Sequence, residues 1–151
     1  MKNQLLAVLL LLAATSAQAE VVINQAWARA TAPGQKVGGV FMQITSSQTA
    51  SLVGASCDCA PVVQVHESFM DNGIARMRQR ENIELPAGKM VELKPGGLHI
   101  MLFDIKAPLK DGDNFMLKLN VSENGKATEI PVKVIVRMMG GEAKKMVHQH
   151  D

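Results

Sequence analysis

The sequence is poor in aromatic residues, with no tyrosine, one tryptophan and four phenylalanines among 151 residues. Affinity for single-stranded nucleic acid comes largely from stacking bases on aromatic side chains, and this chain has few of them. It also lacks an excess of positive charge, because 16 Lys and Arg residues face 14 Asp and Glu residues for a formal net charge of +2. Binding to a phosphate backbone depends on such an excess. We therefore expect no nucleic-acid partner, whereas the length and the 47% hydrophobic content suit one compact domain.

Long hydrophobic runs are missing too. The longest, from Leu5 to Ala14, has about ten residues, and about 20 are needed to span a bilayer, so we expect no stable membrane insertion. Lys2 precedes this run, and Ala17-Gln18-Ala19 follows it with the small-x-small pattern of a signal-peptidase site. Residues 1–19 are therefore predicted to be a cleaved signal peptide. The mature protein, beginning at Glu20, is expected in a bacterial periplasm.

Helical periodicity is the third absence, since no apolar stripe of helical spacing extends beyond about ten residues. The chain instead has short β-rich runs separated by turn residues such as Pro33-Gly34 and Asn124-Gly125. This pattern predicts an all-β sandwich or small barrel in one domain over residues 20–137. The predicted strands are Val21 to Arg29, Val37 to Thr45, Ser51 to Ala55, Val62 to Met70, Ile74 to Arg80, Lys89 to Leu93, Leu98 to Ile105, Phe115 to Val121 and Thr128 to Val136.

One predicted hairpin fixes the positions of a histidine and a methionine. Asn72-Gly73 is the favoured pair for a two-residue type I′ loop, which would place Ser68 opposite Met77. His66 and Met77 would then be diagonal neighbours on one face of the hairpin. A three-residue loop would instead send one of the two side chains to the other face.

A second pair is His99 and Met101, which share a face because one residue separates them in an extended run. Methionine is in excess, with ten residues, and its thioether is both a core filler and a soft metal ligand. Thioether sulfur and imidazole nitrogen suit Cu(I), whereas Ca²⁺ and Mg²⁺ require oxygen ligands and zinc normally recruits Cys or carboxylates. If the two pairs converge, they favour a copper site. Considered one at a time, the two methionines could equally be core residues, and the two histidines could be structural residues held by hydrogen bonds.

The spacing His66-x10-Met77-x21-His99-x-Met101 resembles the signature of the periplasmic copper chaperone family PCuAC. The resemblance covers nearly all of the mature chain, through the segments Ala26-Trp27-Ala28-Arg29-Ala30-Thr31, Gly73-Ile74-Ala75-Arg76-Met77-Arg78, Leu85-Pro86-Ala87-Gly88 and Leu93-Lys94-Pro95-Gly96-Gly97-Leu98-His99-Ile100-Met101. It implies a cupredoxin-like β-sandwich of Greek-key topology that binds one Cu(I) through His66, Met77, His99 and Met101. It also implies delivery of the ion to apo copper proteins, such as the copper centre of a cytochrome c oxidase subunit, often alongside a Sco-type thiol protein.

Two cysteines, Cys57 and Cys59, depart from the family pattern, in which none is expected at this place. In an oxidising compartment they favour a disulfide without metal, although a bridge between residues i and i+2 needs Cα atoms within about 6.8 Å. A second soft-metal site, a contact with a partner and a redox pair that governs copper loading stay open.

The end of the chain, residues 138–151, reads as a flexible tail rich in potential ligands. These are Met138, Met139, Met146, His148 and His150. The hypothesis is a second copper, with the histidines favouring Cu(II) and the methionines Cu(I). A solvated terminus without a role, or an appended expression sequence, explains the composition equally well.

Other functions fit the sequence less well than the chaperone does. A cupredoxin-type electron carrier needs a Cys close to its second His, and no Cys follows His66. An enzyme is not expected, because there is no His-Glu-x-x-His or Ser-centred elbow and Glu67 should point away from the His66 face. A copper-buffering or resistance protein and a metal-free sandwich remain alternatives. We expect a monomer that docks transiently, with Met70, Met90 or Phe103 as apolar contacts.

Overall fold

The computed structural model describes residues 18–138. Ten strands make up the fold: β1 (Val21–Arg29), β2 (Val37–Ser46), β3 (Ala50–Cys57), β4 (Val62–Asp71), β5 (Ile74–Gln79), β6 (Ile83–Leu85), β7 (Met90–Leu93), β8 (Leu98–Phe103), β9 (Asn114–Glu123) and β10 (Lys126–Arg137). The predicted all-β, single-domain class is confirmed. Nothing between residues 18 and 138 is a helix that could cross a membrane.

The strands form one hydrogen-bonded sheet in the order β5-β4-β8-β2-β1-β10-β9-β3-β6, and β7 pairs with β2 beside this path. β1 runs parallel to β10, whereas the other pairs are antiparallel. The sheet curls until β3 contacts β4 and β6 contacts β2. This curling encloses the hydrophobic core and leaves β5 at one end of the sheet.

Along the central strands, side chains that point into the core alternate with side chains that point to the outer face of the sheet. On β2, Val40 and Ile44 are completely buried in the core, and on the neighbouring β8, Ile100 and Leu102 are as well. Phe41 and Gln43 of β2 and Met101 of β8 point the other way, because successive side chains of a strand alternate between faces. The outer face of β4, β8 and β2 is therefore free to carry chemistry that the core does not need.

One strand and one irregularity were not predicted. β6 has three residues, Ile83–Leu85, and pairs with β3; its short apolar alternation lies below the length at which a sequence pattern is informative. In β1, the pairing with β2 shifts between Asn24 and Trp27, and Gln25 has a positive φ of 51°. The bulge re-aims the strand so that Trp27 lies directly opposite Phe41.

Two predicted segments lie largely or wholly outside the described residues. The predicted signal peptide ends at Ala19, and of it the structure describes only Gln18 and Ala19. Of the predicted tail it describes only Met138, whose backbone N–H donates to Asp111 Oδ1 at 3.0 Å. The tail hypothesis therefore stays a prediction.

Candidate metal site

Pairing of β4 with β8 brings the two histidines together. His66 lies directly opposite His99, and Gln64 lies opposite Met101. The side chains of these two cross-strand pairs therefore share the outer face. The imidazole centroids of the two histidines are 6.0 Å apart. The ladder thus makes His99, which is distant in sequence, the direct cross-strand neighbour of His66.

The β4–β5 hairpin adds the first methionine to this face, and its predicted register is confirmed. Asn72 and Gly73 have φ values of 49° and 78°, as a type I′ loop requires. Ser68 pairs with Met77, and His66 with Gln79. Met77 is therefore a diagonal neighbour of His66 on the outer face, and its side chain is 52% exposed.

Three of the four predicted ligands line one cleft of about 300 Å³: Met77, His99 and Met101. His66 is not part of the lining, although its ring centroid lies 6.0 Å from that of His99. Gly39 of β2 pairs with Met101, and the Phe41 ring fills the space above this glycine, 3.2 Å from where a Cβ would stand. The remaining lining residues are Arg29, Gln35, Val37, Gly38, Phe41, Ser68, Pro95 and Gly96.

The imidazole of His99 is oriented by a backbone carbonyl. Its Nδ1 lies 2.9 Å from the carbonyl oxygen of Gly97, which also accepts the Ser68 N–H at 3.0 Å. A carbonyl oxygen can only accept, so Nδ1 carries the proton and Nε2 of the neutral ring has a free lone pair. His99 is 4% exposed. This is the arrangement of a metal-ligating histidine whose second nitrogen is held by an outer hydrogen bond.

His66 presents the opposite nitrogen. Its Nε2 lies 2.9 Å from Oε1 of Gln64, whereas its Nδ1 is buried without a hydrogen-bond partner. When Nε2–H donates to the glutamine oxygen, Nδ1 has a free lone pair next to the His99 ring. Burial, and secondarily the charge of His99, lower the pKa of His66 from 6.5. Both effects favour the neutral form, which is the form that binds metal.

Aromatic rings enclose the two imidazoles, and this feature was not predicted. The Phe41 centroid lies 6.3 Å from that of His99 and 4.7 Å from that of Trp27. On the other side, the Phe103 ring lies 5.7 Å from the His66 ring. The sequence indicated only the segment containing Trp27, through its resemblance to the family, and its spacing gave no hint of a contact with Phe41.

Hard-metal chemistry does not fit the described part of the chain. No group of three or more His, Cys, Asp or Glu side chains that could hold a metal occurs in residues 18–138. The carboxylate nearest in sequence, Glu67, binds Arg78 and Arg80 at 2.7 and 2.8 Å on the other face, as its alternation predicted. These two arginines lower the pKa of Glu67. A metal on the His66 face would therefore need the two thioethers.

The two cysteines form the favoured disulfide, Cys57–Cys59, with a Cα–Cα distance of 5.1 Å. This lies within the range that a bridge requires. Neither sulfur lines the cleft that holds His99. A thiolate ligand of blue-copper type therefore has no counterpart there among the described residues.

The residues expected to contact a partner lie at different distances from the cleft. Met70 lies two residues beyond Ser68 on β4 and is 67% exposed. Phe103 is next to His66, as described above. Met90 pairs with Thr45, about 13 Å along β2 from Phe41 of the cleft lining at about 3.3 Å per residue, so it lies outside the cleft.

Comparison with known families identifies the relatives of this chain. The family described as "Putative lipoprotein LpqE-like" matches residues 21–134. A protein of Leifsonia xyli subsp. xyli, named "Putative lipoprotein Lxx21020", is 35% identical over 115 residues, which cover 75% of this chain and 69% of the relative.

Solved structures share the fold. The "Copper-bound PCuAC domain from PmoF2" superposes with a TM-score of 0.64 at 23% identity, covering 78% of this chain and 92% of that domain. The "Solution structure of CuI-DR1885 from Deinococcus radiodurans" gives a TM-score of 0.61 at 26% identity, covering 83% and 84% of the two chains. The cupredoxin-like fold and the resemblance to PCuAC are confirmed.

Proposed function

The chain belongs to the LpqE-like family, and we propose that it is a periplasmic copper chaperone. It binds one Cu(I) through His66, Met77, His99 and Met101 and passes the ion to apo copper proteins. The observation that carries the proposal is the pair of opposed imidazoles, each with a free ring nitrogen, on the same sheet face as two methionines. Support for the metal comes from the relative CuI-DR1885, whose name states bound Cu(I).

The ligand atoms follow from the hydrogen bonds. His99 offers Nε2, because Gly97 holds its Nδ1, and His66 offers Nδ1, because Gln64 occupies its Nε2. Neither nitrogen needs to lose a hydrogen bond when it takes a metal. With the two sulfurs of Met77 and Met101, these atoms form a soft, uncharged donor set that suits Cu(I).

An uncharged donor set also suits the compartment. Thioethers carry no ionisable proton and do not form disulfides, so they bind Cu(I) where a thiolate would be oxidised. The ion keeps its single positive charge, and none of the proposed ligands neutralises it. We infer that divalent ions, which need more negative charge around them, bind this face weakly.

Transfer of the ion requires that ligands of the partner protein reach the ion before the ligands of this chain release it. Met77 is half exposed and lies on β5, all of whose residues are exposed and which ends the sheet. His99 is buried and fixed. We therefore propose that Met77 leaves first, while the histidines retain the ion until the partner's ligands replace them.

The recipient belongs to the proposal as well. We propose an apo copper protein such as the copper centre of a cytochrome c oxidase subunit, acting with a Sco-type thiol protein. Export to the periplasm is supported by the predicted leader at residues 1–19 and by the lipoprotein name of the relative from Leifsonia xyli.

The test is anaerobic Cu(I) titration with X-ray absorption of the loaded protein. We expect one Cu(I) per chain with mixed nitrogen and sulfur ligation, and loss of one nitrogen ligand in His99→Ala. Met77→Ala should lower the Cu(I) affinity at least tenfold. Met116→Ala is the matched control, because Met116 of β9 is 54% exposed, against 52% for Met77. Equal affinities in the two methionine variants would contradict the proposal.

A further inference from the structure

A second cleft, of about 570 Å³, opens beside the disulfide. Cys57 and Asp58 form one side, Gln64 and Gln79 another, and Lys106 lines it too. Both cysteines are half buried and pack partly against the core, and Cys57 lines the cleft. The cleft borders the metal site, because the same Gln64 side chain lies 2.9 Å from His66 Nε2.

The bridge contributes little to holding the fold together. A cross-link stabilises by restricting the unfolded chain, and the restriction grows with the length of the closed loop. Cys57 and Cys59 are only two residues apart, which is close to the shortest loop a disulfide can close. The local backbone is held without the bridge, since Ala60 N–H donates to Cys57 O at 3.3 Å and Lys106 N–H to Cys59 O at 3.0 Å.

The backbone N–H of Cys59 donates to Cys57 Sγ at 3.1 Å. An N–H donor stabilises negative charge on sulfur, and the cleft is lined by one charged group of each sign, Lys106 and Asp58. A thiolate is at once a good leaving group in disulfide exchange and a soft metal ligand.

We propose that Cys57 and Cys59 form a second Cu(I) site that exists only when a dithiol protein has reduced the disulfide. A thiolate of that protein attacks one sulfur of the bridge and forms a mixed disulfide, which its second thiol then resolves. The partner leaves as a disulfide, having given two electrons and two protons to Cys57 and Cys59. One Cu(I) then binds between the two sulfurs and displaces both protons.

This inference rests on the proposed function only for the supply of Cu(I). Because Gln64 lines this cleft and contacts His66, reduction would create a thiolate site next to the thioether site, within one protein. Thiolates hold Cu(I) by charge as well as by softness, so the reduced pair would compete with the first site. Exchange with a protein disulfide, which takes up the two electrons and becomes a dithiol as the Cys57–Cys59 bond re-forms, would return the ion to the thioethers.

The test compares copper binding before and after mild reduction of the folded protein with a thioredoxin-type dithiol protein. Cu(I) is titrated anaerobically in competition with a chromophoric chelator, and Trp27 fluorescence checks that the fold is kept. We expect the oxidised protein to bind one Cu(I) and the reduced protein to bind two. Cys57→Ser/Cys59→Ser should bind one under both conditions, and Cys57→Ser alone should hold the second ion at least tenfold more weakly than the reduced wild type.

A background lacking the first site separates the two proposals. Met77→Ala/Met101→Ala should bind no Cu(I) tightly when oxidised and one when reduced. If the oxidised variant binds copper as tightly as the oxidised wild type, the proposed first site is wrong. The gain of one bound Cu(I) on reduction still tests the cysteine site in that case. Equal copper binding by the reduced and oxidised wild type, or reduction only after unfolding, would overturn the second site.

Discussion

In the proposed site, copper affinity depends on which face of β5 carries the thioether, and this can be tested without changing the number of methionines. In Met77→Ala/Arg78→Met, the sulfur moves by one residue along β5 and therefore to the opposite face. Position 78 pairs with Glu67, away from the histidines, whereas position 77 pairs with Ser68. Cu(I) affinity should fall as far as in Met77→Ala, by about 100-fold or about 2.7 kcal/mol.

The expected loss of stability in this double variant is small. Met77 is 52% exposed, so truncation removes about half of a buried methionine's contribution, or about 1 kcal/mol. Arg78 loses a partly exposed ion pair with Glu67, which contributes little, and a position 4.8 Å over the Phe69 ring, worth about 0.5–1 kcal/mol. Against a typical total of about 5–15 kcal/mol, the variant should stay folded.

The assay is competition for Cu(I) with a chromophoric chelator, alongside urea unfolding of the apo protein. The matched control is Arg78→Met, which makes the same change at position 78 and keeps Met77. It should retain wild-type affinity within about twofold. If the double variant binds Cu(I) as tightly as this control, the thioether acts from either face, and the register argument for the site is refuted.

Three further predictions follow from single residues. Burial and His99 lower the pKa of His66 in the folded protein, so His66 of the unfolded chain takes up its proton at a higher pH. The free energy of unfolding of the apo protein should therefore fall as the pH drops through about 6.5. Urea titrations at a series of pH values should show a shallower dependence on pH for a His66→Gln variant. Ile100→Ala, at a completely buried position of β8, should lower the free energy of unfolding in urea by about 2–5 kcal/mol and leave the Cu(I) stoichiometry unchanged. Loss of copper binding by the folded variant would contradict the separation of core and site. Gly39→Ala would bring a Cβ within 3.2 Å of Phe41 Cζ, so the ring must move. We expect the Cu(I) affinity to fall several-fold with little change in melting temperature. An unchanged affinity would show that the position of the Phe41 ring does not matter for copper binding.

The part of the site that was predictable depends on local rules. The Asn72-Gly73 loop determines the register of its own hairpin, and one-residue spacing puts His99 and Met101 on one face. These rules use only neighbouring residues. They gave two pairs of side chains but no reason for the pairs to meet, which follows from the β4–β8 ladder between strands far apart in sequence.

The unpredicted parts are those that depend on long-range contacts. Phe41 reaches His99 because β2 pairs with β8, and Trp27 reaches Phe41 because of a bulge in β1 at Gln25. Gly97 contributes a carbonyl oxygen, which every residue possesses, so its role has no signature in the sequence. Gln64 resembles any polar residue on the outer face of a strand until its contact with His66 is seen.

Stability and metal chemistry use opposite faces of the same strands. On β8, Ile100 is completely buried in the core while its neighbour Met101 lines the cleft. The proposed ligands can therefore be replaced without opening the core, and a bound ion would exchange without disturbing the packing that keeps the strands in register. The exception is His99, which is 4% exposed and bound to Gly97. It is the proposed ligand that the surrounding structure holds most rigidly, so it should be the last to release the ion.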